Sequence, residues 1–148
     1  MKKRRLLLFF LLLPVIAFAQ TAAEVDAMLE ADTITAAKAA RFVLGTADLL
    51  PSGLSGPDAE RAAYDTASSN GWIKVDAYEN LTMKDAAFLI MKAFDLKGGM
   101  MYSLFKNPRY AYREMVYRKL IMSRMDSSAK ISGSGLLQIL DRVIRSEE

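Results

Sequence analysis

Apolar residues in this chain recur at helical spacing in successive segments, and none of it alternates apolar and polar residues with period two, which points to packed helices without a sheet. The spacing predicts a short helix over Ala22–Ala31, with Val25, Met28 and Leu29 on one face, followed by five main helices. Thr35 caps the first of these, Ala36–Leu50, whose apolar face holds Ala39, Ala40, Val43 and Leu44. Pro51, Gly53, Gly56 and Pro57 make a linker, after which a helix runs from Ala59 to Asn70 and Gly71 closes it. Thr82 caps a helix over Met83–Asp95, which Gly98-Gly99 interrupts. Asn107-Pro108 opens another, to about Ile121, with asparagine as cap and proline at the first helical position. The last helix, Gly133–Arg145, is expected to bury Leu136, Leu137, Ile139, Leu140, Val143 and Ile144.

The start of the chain has a different character. Lys2, Lys3, Arg4 and Arg5 precede the apolar stretch from Leu6 to Phe18, and Ala17-Phe18-Ala19 gives a small-x-small cleavage pattern. Residues 1–19 therefore read as a signal peptide, with Gln20 as the first mature residue and a periplasmic or extracellular destination. The stretch is shorter than the roughly 18–20 residues of a membrane-spanning helix, and Pro14 breaks it, so no stable span is expected after cleavage. No cysteine follows it, so the mature terminus is not lipid-modified.

Four of the 20 basic residues and none of the 17 acidic ones lie in residues 1–19, which leaves 16 against 17 in residues 20–148. The basic pI thus belongs to the leader, and the near-neutral remainder gives no general reason to expect a nucleic-acid partner. The remainder is long enough for one helical domain with its own core. Histidine is absent, and with it the usual general base and the commonest metal ligand; cysteine is absent too, so no disulfides or thiolate sites form. Ser127-Ser128-Ala129-Lys130 fits the Ser-x-x-Lys pattern but lies in an expected loop without companion motifs. Asp26 and Glu30 share a helix face with no partner to drive their pKa values apart. No catalytic residues, metal site or cofactor are expected.

Aligning the helix starts reveals a weak internal repeat. Ile34-Thr35-Ala-Ala-Lys-Ala-Ala, Leu81-Thr82-Met-Lys-Asp-Ala-Ala and Ile131-Ser132-Gly-Ser-Gly-Leu-Leu each place an apolar anchor before a hydroxyl cap, and the anchors are 47 and 50 residues apart. Gly71-Trp72-Ile73 and Lys119-Leu120-Ile121 precede the second and third. This layout resembles the S-layer homology repeat of bacterial envelope proteins. The resemblance implies an all-α fold of three degenerate helix-loop-helix units, at about 22–50, 58–95 and 108–145, in a small pseudo-threefold bundle. In that family the grooves bind acidic cell-wall glycans, partly through a motif arginine; here Ala36, Met83 and Gly133 stand at its position.

The stretch from Met100 to Leu120 is the richest in tyrosine and basic residues. Arg109 and Arg113 are four apart on one helix face, with Tyr112 adjacent. Arginine forks beside tyrosine rings suit carboxylates, phosphates or sugars, and equally a protein partner. The same stretch also reads as an ordinary helix, its rings packed inside and its arginines paired with Asp95, Glu114 or Asp126. Met100, Met101, Met115, Met122 and Met125 read as core filler, with a metal-binding or adaptable partner surface as the alternative. Trp72 either seals a core edge or stacks on a sugar. The binding residues expected are Arg109, Tyr112, Arg113 and Trp72, in a non-enzymatic envelope module for an envelope protein or cell-wall glycan. The alternative is a small exported enzyme whose buried arginines clamp an acidic metabolite.

Overall fold

The computed structural model describes residues 22–122 and 126–148; the expected leader, the Gln20 terminus and Met125 lie outside them. The described chain is all-helical. Its elements are α1 (residues 22–30), α2 (Ala36–Thr46), α3 (Gly56–Ser69), α4 (Met83–Ala93), α5 (Met100–Leu104), α6 (Pro108–Tyr117) and α7 (Gly133–Glu147).

Four caps form as the sequence predicts. Thr35, Thr82, Asn107 and Ser132 each accept a bond from the backbone amide three residues on, in Lys38, Asp85, Tyr110 and Gly135. Thr82 also donates its hydroxyl to the Asp85 carboxylate, which holds the capping oxygen against the Asp85 amide. A cap leaves the earliest amides of a helix without partners. Loop carbonyls take them: Ala36 and Ala37 donate to Glu79 and Ala77, Met83 and Lys84 to Ala129 and Ser127, and Gly133 to Ala31.

The apolar residues just before the caps meet at the centre. The Ile34 amide donates to the Ile131 carbonyl (3.2 Å), Ile131 to Leu81 (3.0 Å) and Leu81 back to Ile34 (2.9 Å), closing a triangle of backbone bonds. All three side chains are buried. Two antiparallel bridges, Thr35 with Asn80 and Thr82 with Lys130, flank this triangle, and no strand extends from it among the described residues.

Around that hub, α2 packs on α3 and α4 on α6. The start of α7 presses so closely on the end of α1 that a Cβ at Gly133 would overlap the Met28 carbonyl oxygen. Residues from all seven helices share one hydrophobic cluster, dominated by α4, where Phe88 to Met91 are buried in succession. Alanines at 36, 39, 40, 63, 67, 86 and 87 let the helix axes approach closely.

Several expectations need correction. The helix α2 ends at Thr46 rather than Leu50, and α6 at Tyr117 rather than near Ile121. Each is cut short by a left-handed residue, Asp48 (φ 56°) and Lys119 (φ 60°). The helix α3 starts at Gly56, with Pro57 in its first turn, so half of the expected linker is helical. The sequence reading missed α5 altogether. In α7, Ile144 is exposed and Leu137 half-buried rather than part of the core. Among the described methionines named as core filler, only Met115 is buried; Met100, Met101 and Met122 are exposed.

Candidate functional site

The helix α6 begins where Asn107 and Pro108 fix it, and it buries Ala111 and Met115. The opposite side therefore carries Arg109, Arg113 and Tyr117, all exposed. The Arg113 guanidinium lies 5.9 Å from the Tyr110 ring centroid, and Tyr110 in turn stacks on Phe105 at 5.6 Å and 26°. This column holds Arg113 in place while leaving its charge at the surface.

The acids expected to neutralise these arginines are engaged elsewhere. Glu114 pairs with Arg118 at 3.0 Å, Asp95 with Lys97 at 2.7 Å, and Asp126 accepts the Ser128 amide within its own turn. Arg109 forms no hydrogen bond, ion pair or ring contact with any described residue. Tyr112 is half-buried and packs against the core, on the other flank of the helix from Tyr110. Trp72 also packs half-buried against the core, at the end of α3, and no ring contact joins it to either arginine. The structure thus places Arg109 and Arg113 on one exposed helix face and leaves Trp72 half-buried at a separate helix end.

Other polar groups serve the fold. Lys130 donates to the Asn80 carbonyl at 2.7 Å, tying two loops together, so Ser127-Ser128-Ala129-Lys130 is a turn rather than an activated serine. The Ser132 hydroxyl is a helix cap. No group of histidine, cysteine or carboxylate residues suited to a metal ion occurs among the described residues.

Two clefts were not foreseen. One, of about 300 Å³, runs between α1, α2 and the linker, with the Arg41–Glu24 pair (2.6 Å) in its wall. The other, of about 190 Å³, lies between the end of α4 and α5 and gathers Lys92, Lys97 and Lys106 around Asp95. The hydrogen bond and charge of Lys97, helped by Lys106 and Lys92, hold the Asp95 carboxyl below its usual range. Tyr102 lines the same cleft; burial, and then the Asp95 charge, push its phenol up. The run of basic residues in sequence was the signal for this cleft, but bringing Lys106 back beside Asp95 needs the chain to turn between α4 and α5.

Compared with protein-family models, with curated proteins and with solved structures, the chain matches none.

Proposed function

We propose that this chain is an exported, non-enzymatic interaction module of the cell envelope, which binds an envelope protein or a cell-wall glycan through acidic groups on that partner. The observation that carries the reading is the outward pair Arg109 and Arg113, whose neighbouring carboxylate Glu114 is already bound to Arg118. Two planar cations one helical turn apart suit a carboxylate or phosphate, each through charge-assisted bonds. An enzyme that clamps an acidic metabolite would turn such arginines inward, which makes it the weaker reading.

We read the architecture as three degenerate units similar to S-layer homology repeats in a pseudo-threefold bundle. What supports this is the backbone triangle of Ile34, Leu81 and Ile131, together with the matching caps that follow each anchor. With Ala36, Met83 and Gly133 at the motif-arginine positions, recognition of acidic groups falls to α6 instead.

The test is the double variant Arg109→Ala/Arg113→Ala, made in the protein released by its host and checked for a Gln20 terminus. Binding to envelope extract should weaken by roughly 1.5–3 kcal/mol per arginine. Thermal stability should change by no more than about 1 kcal/mol, as for solvated charges. Unchanged binding would move the interaction to another surface, and an intact Met1 terminus in the membrane fraction would remove export from the reading.

A further inference from the structure

We infer that the surface formed by α5 and the start of α6 docks onto an anionic lipid bilayer. This goes beyond the arginine-pair reading and does not depend on a glycan or protein partner.

The helix α5 buries a single residue, Tyr102, whose ring lies so close to Gly98 that no Cβ would fit there. That plug turns the other large side chains outward: Met100 is 76% exposed, Leu104 68%, Phe105 52% and Met101 45%. They form two neighbouring pairs four residues apart, Met100 with Leu104 and Met101 with Phe105. None of the four lines either cleft, and Phe105, though stacked on Tyr110, keeps about half of its surface exposed. A contiguous set of exposed large apolar residues marks an interaction surface rather than ordinary scatter.

Charge identifies the occupant. Residues 92–119 hold seven basic residues and two acidic ones, and both acids are tied up, Asp95 by Lys97 and Glu114 by Arg118. Residues 20–91 hold five basic and eleven acidic residues and residues 120–148 four of each, so beyond residue 19 the surplus of positive charge is confined to the stretch that carries the exposed apolar set. Lys97, Lys106 and Arg109 bracket α5 in sequence and are exposed. Apolar tips ringed by cations match the boundary between acyl chains and anionic headgroups, where basic residues reach phosphates and apolar side chains enter the hydrocarbon. An acidic protein would satisfy the cations; four exposed, unpocketed apolar side chains favour the bilayer.

The chain has no cysteine, so one label can be placed at will. Leu104→Cys in the full chain, carrying an environment-sensitive fluorophore, is mixed with phosphatidylcholine vesicles with and without phosphatidylglycerol. The same label at Asp65→Cys, exposed on α3, is the reference. The label at 104 should shift to the blue only with phosphatidylglycerol, and should return to its aqueous wavelength near 1 M salt, where charges are screened beyond roughly 3 Å. The label at 65 should not respond. Adding Met100→Asp should weaken the response about tenfold, with melting unchanged. Residues 1–19 are common to every variant, so attachment through them leaves the difference between the two labels intact. No shift at 104, equal shifts at both positions, or a shift indifferent to salt and phosphatidylglycerol would each overturn the inference. So would a response to polyglutamate and none to vesicles, which would make the surface a site for an acidic protein.

Discussion

A methyl group at position 133 would land on the Met28 carbonyl oxygen, so glycine is required there by contact rather than by backbone conformation. Backbone cannot swing aside as a side-chain tip can. Gly133→Ala should therefore cost about 1–3 kcal/mol in thermal melting, despite alanine's better helix propensity. Gly135→Ala meets chiefly the Ser132 hydroxyl and serves as the comparison; an equal loss at both positions would argue against the α1–α7 contact as the cause. Tyr102 contributes a pH dependence of predictable sign. Its phenol is raised in the folded state, by burial first and by Asp95 second, so the fold holds the proton more tightly than the unfolded chain does. Stability from this group is complete below the ordinary tyrosine value of about 10, and falls as pH rises from there through the folded value. Melting followed over that alkaline range should decline less steeply for Tyr102→Phe than for the parent chain. Parallel curves would mean that the cleft does not protect the phenol.

Helix ends separate what could be read in the sequence from what could not. Starts were legible because Thr35, Thr82, Asn107 and Ser132 are residues whose side chains cap helices wherever the chain permits. The Gly71 stop was legible for the same local reason. The stops at Asp48 and Lys119 were not, since nothing in those residue types demands the left-handed region they occupy; the third left-handed residue, Asp95, is the expected last residue of its helix. All four stops use one geometry, in which an amide reaches back five residues: Leu49 to Leu44, Trp72 to Ala67, Leu96 to Met91 and Leu120 to Met115. In each, the amide before it bonds three residues back; Leu96 and Leu120 then enter the core, Trp72 is half-buried and Leu49 stays exposed. Aspartate tolerates the left-handed region better than lysine does, so Lys119 carries the largest conformational cost of the four. Lys119→Gly should stabilise the fold by about 0.5–1 kcal/mol, after glycine's greater freedom in the unfolded chain is deducted. A loss in melting temperature would show that the Lys119 side chain makes a contribution outweighing its backbone. The helix α5 was illegible for another reason. Met-Met-Tyr-Ser-Leu-Phe is apolar on nearly every side, and only the fit of Tyr102 against Gly98 decides which side faces in.

Across the molecule, the pairing of Arg109 with Arg113 was legible because Pro108 sets the helical phase. Their exposure, expected of a binding face, follows from Ala111 and Met115 turning the opposite side of α6 inward. The anchors Ile34, Leu81 and Ile131 were singled out by their place before a cap. Their backbone bonding could not be read from one sequence, since each bond joins segments 47, 50 or 97 residues apart. That separation makes the triangle a probe of cooperativity. Each of the three residues both donates and accepts, so displacing any one segment breaks two bonds and opens the cluster beneath three buried side chains. Local fraying cannot expose one of these amides while the other two stay paired. Hydrogen exchange should accordingly give the Ile34, Leu81 and Ile131 amides one shared protection, equal to that of global unfolding. The amides of Ala37 and Lys84, bonded to the outer loop carbonyls of Ala77 and Ser127, should open at lower cost. Leu81→Ala, which hollows the hub, should lower protection at Ile34 and Ile131 by the same amount as the global loss, about 2–5 kcal/mol. If Leu81 kept its protection while Ile34 and Ile131 lost theirs, the third segment would be an attachment to the fold, and the triangle would not be its cooperative centre.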